Sequence, residues 1–256
     1  MALRVTVLGC GGSGGVPLIG DVWGACDRTN PKNRRRRCSI LLQRDGTNVL
    51  VDTGPDLREQ LISTPVQHLD GVVFTHEHAD HTHGIDDLRA MNWLMQRPID
   101  CWADRTTLDI LLSRFDYCFA EPVHRFQRPE LVAHEITGPF GIGAIELVPF
   151  RQEHGRLPSL GFRIGRFAYS TDAVHLDEQA FATLDGVDTW IVDCTRETPH
   201  PVHAHLELTL QWIERVRPRH AILTHMNHTL DYETLKAKLP PGVEPGYDGM
   251  VLEIAD

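Results

Sequence analysis

The densest chemistry in the sequence lies in Thr75-His-Glu-His-Ala-Asp-His81, where His76, His78, Asp80 and His81 fall within six residues. A single tetrahedral ion rarely takes so many neighbours in sequence, so these imidazole and carboxylate groups predict two metal sites rather than one. The run follows Val72-Val-Phe-Thr75, which reads as a buried strand. His76 and His78 alternate as strand-end residues do, while Asp80 and His81 belong to the turn into the next helix. The pattern is echoed at other strand ends. Leu147-Val-Pro-Phe150 leads to His154, Phe167-Ala-Tyr-Ser-Thr171 runs into Asp172, and Ala221-Ile-Leu-Thr224 into His225. A lone histidine would be read as a surface or hydrogen-bonded group. Four strands that each deliver a His or Asp at the same end make a binuclear constellation, because loops beyond strand carboxyl ends converge above a rigid sheet.

The elements that must hold these residues are mostly short β-type runs. Strands are predicted at Val5–Leu8, Ser39–Gln43, Asn48–Asp52, Val72–Thr75, Ile99–Ala103, Ile145–Phe150, Gly161–Ile164, Phe167–Ser170, Thr189–Asp193, Ala221–Thr224 and Val251–Ile254. Asp45-Gly46 supplies a tight hairpin turn between the second and third. Apolar spacing predicts a helix over 84–96, a second from Leu206 to Val216 stopped by Pro218, and a third around Tyr232, Leu235 and Leu239. Strands interleaved with helices, several of them continuously apolar, imply a layered α/β architecture. No linker or repeat divides the chain, so one domain over residues 1–256 is expected.

Composition narrows the function. The 256 residues carry 25 Lys+Arg against 35 Asp+Glu, a formal charge of −10, which argues against a general nucleic-acid binder. With 41% apolar residues the chain can bury a core, yet no apolar run approaches a membrane span. The first residues show no export-signal pattern, so a cytoplasmic location is expected. The six cysteines are scattered and form no C-x-x-C pair, which favours buried thiols over a disulfide framework. Arg34-Arg-Arg-Arg37 is the strongest positive cluster. It is either a solvated loop or, with Arg36 and Arg37 as candidates, a phosphate clamp. Gly11–Gly15 lacks the Lys-Ser/Thr of a phosphate loop and better suits close passage of the backbone past the site. Asp86 and Asp87 read as helix-start carboxylates.

The motif His76-Glu-His78-Ala-Asp80-His81 resembles the His-x-His-x-Asp-His signature of the metallo-β-lactamase superfamily. Val51-Asp52-Thr53-Gly54, His154, Thr171-Asp172, Leu223-Thr224-His225 and Tyr247-Asp248-Gly249 follow in the superfamily's order. Gly11-Gly-Ser-Gly-Gly-Val-Pro17, Arg36-Arg-Cys-Ser39, Val192-Asp-Cys194, Ala204-His-Leu206 and Gly246-Tyr-Asp-Gly-Met250 are similar to the phosphoribosyl 1,2-cyclic phosphate phosphodiesterase-like subgroup. The resemblance implies a four-layer αββα sandwich of two sheets flanked by helices. It implies that His76, His78 and His154 hold one divalent ion, that Asp80, His81 and His225 hold a second, and that Asp172 bridges them. A carboxylate between two cations reduces their repulsion, and this donor set suits Zn²⁺ or Mn²⁺. Asp52 and Asp193 are candidate acceptors for ligand imidazole N–H groups. Asp80 and His205 form the expected catalytic set, with His205 as general acid and a further substrate contact. The subgroup's additional structural zinc is expected to be missing, since only Cys26 and His228 remain of its ligands while Asp21 and Trp23 stand at cysteine positions.

The expected activity is hydrolysis of small cyclic or nucleotide-like phosphodiesters by a hydroxide shared between the ions. The alternatives are an endoribonuclease like the tRNA 3′-processing enzymes, or a thioester or lactone hydrolase. The expected partner is a small-molecule phosphodiester, with nucleic acid and membrane disfavoured and a homodimer the default assembly.

Overall fold

The computed structural model describes residues 2–120 and 131–255. The first half runs through β1 (Leu3–Gly9), β2 (Ser39–Arg44), β3 (Thr47–Val51), α1 (Leu57–Ile62), β4 (Gly71–Val73) and α2 (Ala79–Thr82). It continues through α3 (Leu88–Met95), β5 (Ile99–Ala103), α4 (Arg105–Arg114), α5 (Asp116–Phe119) and β6 (Leu131–Glu135). The second half contains β7 (Phe140–Ile142), β8 (Ile145–His154), β9 (Leu157–Ile164), β10 (Phe167–Ser170), α6 (Glu178–Leu184) and β11 (Thr189–Asp193). It closes with α7 (Leu206–Val216), β12 (His220–Thr224), α8 (Tyr232–Lys236), β13 (Val243–Pro245) and β14 (Val251–Ile254).

Among the described residues these strands form two seven-stranded mixed sheets, ordered β14-β1-β2-β3-β4-β5-β6 and β13-β12-β11-β10-β9-β8-β7. In the first, the β3–β4, β4–β5 and β5–β6 pairings are parallel and the rest antiparallel. In the second, β10–β11, β11–β12 and β12–β13 are parallel and the rest antiparallel. Side-chain alternation sets the layers. Val5 and Val7, Ile40 and Leu42, Val49 and Val51, and Val73 join the core shared with the second sheet. Their neighbours Leu41, Leu50, Val72 and Phe74 pack with Leu57, Leu88, Met91, Leu108 and Leu111 of the flanking helices. On the other side, Ala180, Leu184, Trp212 and Ile213 of α6 and α7 pack with the second sheet. The arrangement is the expected four-layer αββα sandwich.

Several elements lie outside the expected set: β6, β7, β13, α1, α4, α5 and α6. The first three are short or half exposed and carry little periodicity. Helices α4 and α6 do carry a local start signal, since Asp104 and Asp177 accept from the backbone N–H groups of Thr107 and Ala180. The helix expected over 84–96 divides into a 3₁₀ turn, Ile85–Asp87, and α3. Asp86 and Asp87 therefore open a helix, as their charge suggests. No helix among the described residues is long and apolar enough to cross a membrane.

The strand ends that face the site share one backbone device. Asp52 follows β3 with φ +65°, Asp172 follows β10 with φ +55°, and His225 follows β12 with φ +58°. Left-handed backbone is unfavourable for residues with a Cβ, costing on the order of 1 kcal/mol or more. It turns each chain abruptly off its sheet, so that the next functional group projects over the edge instead of continuing along it.

Close packing holds these turns together. A Cβ built on Gly54 would lie 2.3 Å from the carbonyl oxygen of Asp80, whereas one on Gly138 meets nothing within 4 Å. Gly54→Ala is expected to lower unfolding free energy by about 1–3 kcal/mol in denaturant titration, as overpacking does. Gly138→Ala should leave it unchanged. Equal stability of both variants would show that the Asp52 and Asp80 turns are free to separate.

Candidate metal centre

His76 extends β4 by three residues, past Phe74 and Thr75, and meets the turn that follows β3. Asp52 at that turn accepts from Thr75 N–H at 2.8 Å and Thr75 Oγ1 at 2.9 Å, and its Oδ2 lies 2.7 Å from His81 Nδ1. A proton on His81 Nδ1 toward Asp52 leaves Nε2 free to face inward. His154 Nδ1 donates to the Val202 carbonyl at 2.7 Å, and His225 Nδ1 lies 3.1 Å from Thr195 Oγ1. Each of these three imidazoles is thus held at one ring nitrogen, with the other turned toward the same space.

Three groups of donors result among the described residues: Asp172 belongs to two of them, and Asp193, His203 and His225 make the third. Ligand atoms of His76, His78, His154 and Asp172 all lie within 4.8 Å of one another, as do those of Asp80, His81, Asp172 and His225. Asp172 Oδ1 is 3.9 Å from His76 Nε2, 3.6 Å from His154 Nε2 and 3.4 Å from His225 Nε2. Its Oδ2 is 3.1 Å from His81 Nε2. Asp80 Oδ2 stands 3.4 Å from His81 Nε2 and 3.6 Å from His225 Nε2. Ligands at ordinary bond lengths around a tetrahedral ion are on the order of 3.3 Å apart, so these separations fit.

The unpaired atoms point the same way. Nε2 of His76, His81 and His225 is buried without a hydrogen-bond partner, an arrangement that costs about 1–3 kcal/mol per group unless something fills the gap. His154 Nε2 and His78 Nδ1 also face each other at 3.1 Å. The donor set therefore fits a pair of divalent cations.

Electrostatics agrees. Burial pushes the Asp172 carboxyl up, but the His225 and His81 imidazoles outweigh it and hold the group well below the carboxylate range. Burial opposes a charged His81, yet Asp172, Asp80 and Asp52 together raise it well above the histidine range. His225, also buried, is pushed up to about 9 by Asp172, Asp80 and Asp193. Burial, reinforced by His81, keeps His76 neutral. Protons on His81 and His225 thus balance the carboxylates, and the same negative charge favours cations in their place.

The remaining candidates are placed less as expected. His205 caps the start of α7, with its backbone carbonyl accepting from Thr209 N–H at 2.9 Å. No described hydrogen bond, ion pair or ring contact links its imidazole to the metal centre. His203, two residues earlier, is inside it. Its Nδ1 is 3.6 Å from Asp172 Oδ1 and 3.4 Å from Asp193 Oδ2, and its ring stacks on His225 with centroids 4.6 Å apart. Sequence offered three histidines in six residues here, and only folding distinguishes them. Asp193 itself is wholly buried, accepting from Ala173 and Ala204 N–H groups.

Arg36 and Arg37 line a cleft of about 590 Å³ with Gly15, Asp56 and Asp248. Arg36 uses both backbone N–H and Nε on Asp248, and Arg37 uses the same two groups on Asp56, with Nε–O separations of 3.1 and 2.9 Å. Their charge is matched by carboxylates, so they brace the entry to β2 rather than stand ready for a phosphate. The glycine-rich loop passes close to the site as expected, with a Cβ on Gly12 lying 3.3 Å from the His225 carbonyl. Near Cys26, ordinary contacts tie the loop: the thiol reaches the His228 and Leu230 carbonyls, and Asp21 accepts from Trp23 Nε1 and pairs with Arg28. Among the described residues, no group suited to an ion includes Cys26 or His228. All six cysteines are buried thiols.

Comparison with known proteins gives the family. The model of the β-lactamase superfamily domain matches residues 47–226, and the chain belongs to that superfamily, with the metallo-β-lactamase fold. It is similar to a crystallised diphosphatase of the PhnP family, at TM-score 0.90 and 32% identity over 99% of this chain and 98% of the other. It is 32% identical over 253 residues to an octanoyltransferase of Porphyromonas gingivalis, covering 97% of this chain but only 51% of that protein. It is also 29% identical over 206 residues to an anti-Pycsar protein of Paenibacillus harenae, covering 75% of this chain and 84% of that one.

Equilibrium dialysis against zinc or manganese is expected to give two bound ions per chain for the wild type. His154→Ala should retain one, and Asp172→Ala should retain less than one, because both ions lose a ligand. Two ions in the Asp172→Ala variant would show that the carboxylate serves neither.

Proposed function

We propose that the chain is a binuclear-metal phosphodiesterase that hydrolyses small phosphodiesters. The observation that carries this reading is the single buried carboxylate, Asp172, shared by two imidazole-rich donor sets. Two divalent cations held there, Zn²⁺ or Mn²⁺, would supply Lewis acidity to the non-bridging phosphoryl oxygens and acidify a water toward neutral pH. Everything else is done by the chain. Asp52, Thr195 and the Val202 carbonyl fix the orientations of His81, His225 and His154, so no reorganisation is needed as charge develops. The cluster opens at His78, whose side chain is 48% exposed while His76, His81, His154 and His225 are buried, which gives a substrate one side of approach.

A leaving alkoxide needs a proton, and His203 is the side chain placed to give it. Its ring stacks on His225 at the edge of the cluster, and it keeps partial exposure to solvent. This moves the general-acid role from His205 to His203. The similarity to a diphosphatase supports phosphorus as the electrophile. The octanoyltransferase name belongs to a protein about twice as long as this chain, so it carries less weight for this half alone.

A panel of bis(p-nitrophenyl) phosphate, a cyclic nucleotide, a tRNA precursor, a thioester and a β-lactam tests the reading on metal-loaded protein. The two small phosphodiesters are expected to turn over; activity confined to the carbonyl compounds would contradict it. On an alkyl phosphodiester, His203→Ala should lower kcat by about 10²–10⁴-fold, the usual size of a general-acid contribution. The same variant should be far less impaired on a nitrophenyl ester, which departs without protonation. His205→Ala should leave both substrates near wild type. Equal losses on both leaving groups in His203→Ala would remove the proton-donor role.

A further inference from the structure

We infer that Thr171 is a positioning residue of the metal centre: its hydroxyl sets the plane of the Asp172 carboxylate, and with it how tightly the ions are held. The inference rests on the proposed binuclear reading. Three neighbouring strands already fix the backbone at this turn. From β8, Gln152 Nε2 donates to the Thr171 carbonyl at 2.9 Å, and from β9, Ser159 Oγ donates to the Asp172 carbonyl at 2.6 Å. At the end of β11, Asp193 Oδ2 accepts from the Ala173 N–H at 3.0 Å. All of these residues are buried. None of the three contacts reaches the Asp172 carboxylate itself, whose terminal torsion is broad and prefers no single plane.

The Thr171 hydroxyl supplies that constraint. Its Oγ1 donates to Asp172 Oδ2 at 2.7 Å, between two buried residues. Threonine is β-branched and has few χ1 choices, so the hydroxyl is itself held in place. His81 Nε2 lies 3.1 Å from the same oxygen, but a histidine that takes an ion surrenders the proton it would offer. Thr171 is outside both donor sets and keeps its proton. Its hydrogen bond therefore survives loading, when the carboxylate has to face two ions at once. A bond to an ionised acceptor is stronger than a neutral one, and partners of this kind commonly carry about 10–100-fold of a site's metal affinity. Tyr169 provides the contrast. It stands two residues earlier, in β10, and its buried hydroxyl has no hydrogen-bond partner, so its removal takes no bond from the site.

The test titrates zinc and cobalt(II) into the full chain against a chromophoric chelator and records the visible spectrum of the cobalt-loaded protein. Thr171→Val and Thr171→Ala should bind each metal about 10–100-fold more weakly than wild type, with the cobalt bands shifted at full loading. Thr171→Ser keeps the hydroxyl and should recover most of the affinity together with the wild-type spectrum. Tyr169→Phe should match wild type in both. Wild-type affinity in Thr171→Val, or weaker binding with an unshifted spectrum, overturns the inference. An equal loss in Thr171→Ser or Tyr169→Phe also overturns it, because the site would then respond to any change at the end of β10. A wild type that takes up a single ion would sink the binuclear reading, and the same comparison then decides the role of Thr171 on that ion. A wild type that binds none overturns both.

Discussion

One buried carboxylate organises the site. Asp172 lies under five histidines, His76, His81, His154, His203 and His225, with each pair separated by 3.1 to 3.9 Å. Taking a carboxylate out of water is costly unless opposite charge or hydrogen bonds replace the lost hydration. Here protons on His81 and His225 can do so, and so can cations bound among the imidazoles. Ring nitrogens converging on one buried anion make a donor set that fits divalent cations.

The sheets make this affordable in conformational terms. Parallel pairing in both sheets brings the carboxyl ends of β3, β4, β10, β11 and β12 to a common edge. The left-handed turns at Asp52, Asp172 and His225 then direct side chains over that edge. Local strain of this kind persists only where the surroundings over-determine it. Those surroundings are visible: continuous apolar strands beneath, and hydrogen bonds from Thr75, Ala173 and Ala204 to the second carboxylates Asp52 and Asp193. The same rigidity extends outward to Val202, whose carbonyl holds His154, so that residues outside the donor sets still fix where the ligands lie.

Much of this was readable from residue order. The apolar runs ending in His76, Asp172 and His225 announced both the strand and the polar donor that gathers at its end, because a strand buried on both faces has to be continuously hydrophobic and a polar group has to lie beyond it. Short elements such as β7 and β13 carried too few residues to show a period. Helices α4 and α6 carry Asp caps but narrow buried faces, Thr107, Leu108 and Leu111 in one and Ala180 and Leu184 in the other, which leaves little periodicity to see. Within the site, sequence separated ligands from bystanders only where a strand fixed the register. In the loop from His200 to His205 nothing fixes it, and the choice of His203 depends on how Asp193 and the start of α7 fold over the ligands. The arginine run showed charge but not its neutralisation, since Asp56 and Asp248 are distant in sequence from one another and Asp248 lies more than two hundred residues from Arg36.

The central claim is that Asp172 joins two ions. Anomalous diffraction from a crystal loaded with zinc or manganese measures this directly. Two peaks about 3.5–4 Å apart, both beside Asp172, with His76, His78 and His154 around the first and Asp80, His81 and His225 around the second, are the predicted result. A single peak, or a pair that Asp172 does not touch, would contradict the account.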